Sequence, residues 1–373
     1  MRGNKKSGVK IFVIILILLI AVAGVCLAMK FFGGDKEEVE TANSDNIVEN
    51  TEDVQVIITE PEEVKTPETL SGTSRPIAVM IDNHKDAMPQ AGLEQADIVY
   101  ELKVEGGETR LMLILQDNKD LKKIGPVRSS RHDFLDYALE NDAIYVHYGW
   151  SPQAKKDISK LGVNNINGIY DSSSNFSRDK GKYAPHNAVT SMENILKIAK
   201  RKDYRTTTKE EAVLNYVVDE VNLEDGQAAD TVTIPYSDHN TVKYTYDEKT
   251  KEYTRYSRGK KQTDWNTKNT VTTKNIIITF AKYKSLDSKD RQDISNVGTL
   301  DGYYITNGKA IKIKCEKDSR SAQTVYKDLE GNEINVNDGK TFIQICPINA
   351  KVSIKGNAKT TEASQNANVE VKE

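Results

Sequence analysis

The sequence predicts an α+β chain: an N-terminal mixed α/β domain, then a mostly antiparallel β domain, behind one transmembrane helix. Three patterns carry this expectation. Residues 11–29 form an uncharged apolar run, residues 71–212 alternate short apolar strands with helical periods, and from residue 213 short alternating runs succeed one another between turn residues.

The apolar run IFVIILILLIAVAGVCLAM has the length a helix needs to span a hydrocarbon core of about 30 Å. Arg2, Lys5, Lys6 and Lys10 precede it, and residues 33–70 carry twelve acidic residues against two lysines. The positive-inside rule then leaves residues 1–10 as a cytoplasmic stub, 11–32 as the anchor and everything after them outside the cell. A cleaved signal peptide competes, because Ala21, Ala23 and Gly24 are small, but the run exceeds the usual core of about 7–15 residues. Lipid modification of Cys26 is a third reading. It calls for a small residue just before the cysteine, where Val25 stands. The expectation is a single-pass membrane protein with an extracellular body.

Residues 33–70, acidic and without apolar period, read as a disordered tether. The formal net charge of −3 hides this division, since the exported body after residue 70 is nearly neutral. A nearly neutral body gives no support for nucleic acid as a partner.

In the segment 71–212 the strands PIAVMID, DIVYELKV and TRLMLIL are followed by a helix after Ser130, the strand AIYVHYG and a helix after Ser151. Gly106 and Gly107 suit a tight hairpin turn. Pairing Glu105 with Glu108 sets Leu102 opposite Leu111, Tyr100 opposite Leu113 and Ile98 opposite Leu115 as a core face. Glu101, Lys103, Glu105, Glu108 and Arg110 then share the other face, either a solvated surface or the floor of a polar site. The segment 213–355 runs through TVTIPY, VKYTYDEKTKEYTRY, NIIITFAKY, GYYITNG, AIKIKC and TFIQICP, the pattern of a sandwich or partly closed barrel. Residues 356–373 form a polar tail. Cys315 and Cys346, the two cysteines of the exported body, are disulfide candidates in an oxidising compartment.

The string IGPVRSSRHDFLDYAL is the most specific. Ser130 and Asp133 form a capping box in its carboxylate form, and Arg128, Ser129 and Arg131 surround the predicted helix start, a receptor for carboxylate or phosphate. The alternative is that the arginines pair with Glu101 or Glu105 and hold helix against sheet. His84, His132, His147 and His186 fall near strand ends or in loops of the same domain. Each is a candidate general base, with Asp82 or Asp133 as orienting partner. No His-Glu-x-x-His and no Cys-x-x-Cys occurs, so neither metal nor cofactor is expected.

The strings RPIAVMIDNH, PQAGLEQADIVYELKVEGGETR, KIGPVRSSRHDF and DAIYVHYGWSPQA resemble the YerB-like family of bacterial envelope proteins, whose halves are two domains of unknown function. The likeness covers about residues 75–190 and extends more loosely to DGYYITNGKAIKIKC and the run from Tyr326 to Ile345. It implies an extracytoplasmic protein of Gram-positive-type bacteria, usually a lipoprotein, with no assigned catalytic residues. Val25 departs from the lipoprotein pattern, and Cys315 and Cys346 stand where larger apolar residues are expected.

Two functions follow as expectations. One is a membrane-anchored binding protein that recognises an anionic envelope component, peptidoglycan peptide or teichoic acid, through Arg110, Arg128, Ser129, Ser130, Arg131 and Asp82. The other is a cell-wall hydrolase or transferase with His84, His132, His147 or His186 as base and Glu101 or Glu105 as acid. The expected partners are the membrane, through residues 11–29, and a cell-wall polymer or envelope protein.

Overall fold

The runs IAVMID, IVYELK and TRLMLIL are apolar without strict alternation, and in the computed structural model they are the centre of a sheet buried on both faces. A strand covered on both sides has no solvent face to mark with polar residues. The structure describes residues 65–357 apart from 172 and 173. The first strands are β1 (Ile77–Asp82), β2 (Ile98–Lys103), β3 (Thr109–Leu115), β4 (Ile144–His147) and β5 (Asn165–Asn167).

The main sheet runs in the order Val325–Lys327, Lys309–Lys317, Gly298–Thr306, Asn275–Ser285, Thr341–Pro347, β2, β3, β1, β4, β5. Strands from residues 71–212 and from 213–355 therefore share one sheet. They join where Thr341–Pro347 lies parallel to β2, Ile98 beside Thr341 and Leu102 beside Ile345. A second sheet, built on Thr231–Ser237, Asn240–Asp247 and Glu252–Ser257, covers one face. Here the alternation is clean: Val232, Ile234, Tyr236, Val242, Tyr244 and Tyr253 turn inward onto Val79, Val99, Leu111, Leu113 and Phe342. On the other face Met80, Tyr100, Leu102, Met112 and Ile114 pack with Phe134, Leu135, Tyr137 and Ala138.

The expected α+β class is corrected: the described chain is mostly β, with three short α-helices, Phe134–Glu140, Pro152–Lys160 and Met192–Arg201. The helix after Ser151 forms as its sequence dictates, with the Ser151 hydroxyl accepting from Ala154 N and Pro152 in the first turn. The helix after Ser130 starts only at Phe134, and the capping box is absent. Ser130 Oγ accepts from the Tyr145 hydroxyl at 2.9 Å, and Asp133 Oδ1 accepts from Ile294 N at 2.9 Å. The predicted transmembrane helix at 11–29 lies outside the described residues, as do the cytoplasmic stub and most of the tether and tail. Among the described residues no helix is long and apolar enough to cross a membrane.

The hairpin register also differs. Val104 N bonds to Glu108 O around a tight turn with Gly106 and Gly107 at positive φ. Leu102 consequently faces Arg110, and Tyr100 faces Met112. This shift of one residue sends Glu101 and Arg110 to opposite faces of the sheet.

Cys315 and Cys346 are buried and free. Cys346 packs between the two sheets and Cys315 on the opposite face. Their strands are three spacings apart, about 14 Å, while a bridge needs Cα atoms within about 7 Å. The disulfide expectation is corrected on that geometry.

Candidate functional site

β1 and β4 are parallel and end side by side, at Asp82 and near His147, where loops leave the sheet. Such strand ends are where α/β sheets build sites. Asp82, paired across the strands with Arg110, is buried and receives three neighbours. Its Oδ1 accepts from His84 N at 3.1 Å, and its Oδ2 lies 2.7 Å from His186 Nδ1 and 3.2 Å from Arg128 Nε. A carboxylate only accepts, so His186 donates from Nδ1, and Nε2 is the ring nitrogen not engaged by Asp82. His186 reaches Asp82 from a loop pinned by Lys182, whose ammonium donates to Ala87 O and Met88 O. The His84 ring stacks on His186 at 4.4 Å and 14°.

The arginines continue this cluster. Arg110, buried, donates to Ser129 O and meets Glu105 Oε1 at 3.1 Å. Arg131 grips both oxygens of Glu105, with Nε on Oε2 at 2.9 Å and Nη2 on Oε1. Burial alone raises the Glu105 carboxyl, but the Arg131 hydrogen bond and the charges of Arg110 and Arg131 outweigh it and hold it at about 2. Glu105 is therefore an anion near neutral pH, with no proton to donate as a general acid. Arg128 gives only its Nε, to Asp82; among the described residues its two Nη groups have no partner. Three arginines thus face two carboxylates.

Other expected residues lie elsewhere. Glu101, on the opposite face, is held by Asn83, Thr109 and a fully buried Arg255, whose Nη2 is 2.7 Å from Oε2. His147 is fully buried, with Nδ1 against Gly149 O and Nε2 near Asn165 Oδ1; burial drops it to about 4. Ser130 spends its hydroxyl on Tyr145. The helix after it is seven residues long and capped by no side chain, so the predicted anion receptor at its start is corrected. His132 points into a separate acidic pocket, 3.0 Å from Asp293 Oδ1 and 3.3 Å from Asp133 Oδ1. There burial raises Asp133 to about 7 and Asp136 to about 6.

Beside His84 a cleft of about 760 Å³ opens between Lys85, Glu108, His239, Arg258, Lys260 and Lys261. Arg258, bound to Glu108, and the lysine pair come from the Glu252–Ser257 hairpin of the second sheet and its return strand. Sequence reasoning missed them, since about 150 residues separate them from β3 and no local motif marks the contact. Among the described residues two groups have metal-ligand spacing, His84 with Asp86 and His186, and His132 with Asp133 and Asp293. Asp86 and Asp293 carried no signal in the sequence.

Comparison with known proteins adds a lineage. Residues 63–205 match the N-terminal domain, and residues 232–343 the C-terminal domain, of a protein family of unknown function, DUF3048. The chain is 34% identical over 284 residues to YerB of Bacillus subtilis, named as a putative lipoprotein, covering 73% of this chain and 81% of that one. A crystal structure of YerB from Bacillus subtilis superposes with a TM-score of 0.69 at 33% identity, covering 78% of this chain and 97% of that one. The expected single-pass placement with a cytoplasmic N-terminus is corrected by this comparison, because the relative's name denotes a lipid-bearing protein rather than one held by a spanning helix. With both domain models matched in order and a third of the residues shared along most of its length, the chain belongs to the DUF3048 family.

Proposed function

We propose that this is an envelope-associated protein that binds an anionic component of the cell envelope, a peptidoglycan-peptide carboxylate or a teichoic-acid phosphate, at the Arg128 edge of the basic cluster. The lipoprotein designation of YerB supports the location, and Cys26 is the residue at which a lipid would be carried here. One observation carries the binding reading. Arg128 is fixed through Nε by Asp82 and keeps both Nη groups free of partners among the described residues, beside the half-buried edges of His84 and His186. A guanidinium oriented in this way is ready for bidentate contact with carboxylate or phosphate. The adjoining cleft, with Lys85, Arg258, Lys260 and Lys261, extends the positive surface.

Retention of the full chain on purified cell wall tests this. Arg128→Ala should cut retention about tenfold while leaving the melting temperature in place. Unchanged retention removes the proposal, and a parallel loss of stability assigns Arg128 to the scaffold.

The Asp82–His186 pair favours a second reading. A histidine held at Nδ1 by a carboxylate presents Nε2 as a general base, the arrangement a hydrolase or transferase uses. Release of soluble fragments from cell wall by the chain, abolished in His186→Gln, would establish it; intact wall after prolonged incubation would dismiss it.

A further inference from the structure

We propose that the pocket formed by His132, Asp133 and Asp293 binds a divalent metal ion of the Zn²⁺ or Mn²⁺ class. The cavity is about 520 Å³ and is lined by four aspartates, Asp133, Asp136, Asp157 and Asp293, with Arg320 facing them. Two of the four are already satisfied. Arg320 donates from Nε to Asp136 Oδ1 and from Nη1 to Asp157 Oδ2, both at 2.7 Å. Asn296 and Gln153 occupy the remaining oxygens of Asp136 and Asp157.

The other two aspartates are left with His132. Asp133 is 5% exposed, and its Oδ1 takes the Ile294 amide, but its Oδ2 has no hydrogen-bond partner among the described residues. A carboxylate oxygen with no donor, on a side chain this buried and lining an open pocket, is available to a cation. Asp293, half exposed on the strand Gln292–Ser295, brings a second carboxylate to within 3.0 Å of His132 Nε2. One imidazole nitrogen and two carboxylates, with ligand atoms all within 4.8 Å of one another, suit an ion bound at about 2.0–2.2 Å. The imidazole argues against Mg²⁺ and Ca²⁺, which take oxygen ligands, and the carboxylates favour Zn²⁺ or Mn²⁺. The remaining coordination positions open into the pocket. The ion would tie the strand Gln292–Ser295 to the turn before the helix Phe134–Glu140.

The group His84, Asp86 and His186 does not serve equally. Its imidazole planes are nearly parallel at 4.4 Å, and one ion cannot lie in both ring planes at bonding distance. Asp86 is moreover held by Lys85 at 3.0 Å.

The full chain, stripped with a chelator and dialysed against Zn²⁺ or Mn²⁺, should retain one ion per chain and melt about 5 °C higher. Asp293→Asn and His132→Gln should both lose the ion and the thermal shift, while His186→Gln keeps them. Asp293 is half exposed, so its variant folds and decides the matter if His132→Gln does not. Absence of bound metal, retention in Asp293→Asn, or loss in His186→Gln would overturn the assignment.

Discussion

The basic cluster at the end of β1 and the acidic pocket around Asp133 are assembled from the same side chains, histidine, arginine and carboxylate, in opposite proportion. At β1, Asp82 and Glu105 meet Arg110, Arg128 and Arg131, and the guanidinium with donors to spare is that of Arg128. In the pocket, one arginine spans two aspartates and leaves two more beside a single histidine. The surplus partner, rather than the residue types present, decides which ion each region suits. In both regions the fully engaged members hold the fold, and the groups with donors or acceptors to spare remain for a ligand.

Removing the pocket's arginine is the most severe way to break this contrast. Arg320→Ala leaves Asp136 and Asp157 buried without their cation and should cost about 3–5 kcal/mol in urea unfolding; a cost under about 1 kcal/mol would mean solvent already serves them.

The pH dependence of the two regions should have opposite signs. Burial raises Asp136 to about 6, with Arg320 and Asn296 opposing. A carboxyl raised on folding stabilises fully below its unfolded value, and that contribution is lost as pH climbs through the folded value. Between about pH 4 and pH 7 the loss is on the order of 3 kcal/mol. Asp136→Asn is flat across this window, so its difference from the parent should change by that amount; parallel curves would refute the assignment. Glu105, held at about 2, behaves in reverse. Its contribution is present above the usual carboxylate value and disappears as pH falls through 2. Glu105→Gln should therefore cost about 2 kcal/mol at neutral pH, solvent screening of this partly exposed pair reducing the full value of about 3 kcal/mol, and converge on the parent in strong acid, as read from unfolding free energies.

Arg128→Ala sharpens the comparison from the other side. The stability change should stay under about 1 kcal/mol, because Asp82 keeps His186 and the His84 amide, while wall retention drops. A larger loss would move Arg128 from the surplus side to the paired side.

The strands and their burial were readable at residue level where pattern and environment agree. TVTIPYS alternates in sequence, and Val232, Ile234 and Tyr236 are the buried positions. Helix Pro152–Lys160 was announced by Ser151 and Pro152. The class was misjudged because the helical stretches between strands are only seven to ten residues long. The hairpin face was misassigned because a single extra residue in the turn inverts every position after it. Asp82, His84, Arg128 and His186 were all picked out individually, but not the sheet geometry that unites them and leaves His132 and His147 apart. Asp293 and Arg320 lie more than 150 residues from their partners, and no local signal predicts such encounters.

The parallel pairing of Thr341–Pro347 with β2 also sets a timetable for the growing chain. When β2 leaves the ribosome, the strand that will cover its free side is more than 230 residues from being made. Until then a strand that is buried almost throughout in the finished fold has an open edge, the situation that invites pairing with another chain. Closure is also entropically slow, because it joins segments far apart in sequence. Synthesis that halts before residue 341 should accordingly yield an aggregating fragment, and the last long strand among the described residues is the one that completes the centre of the sheet.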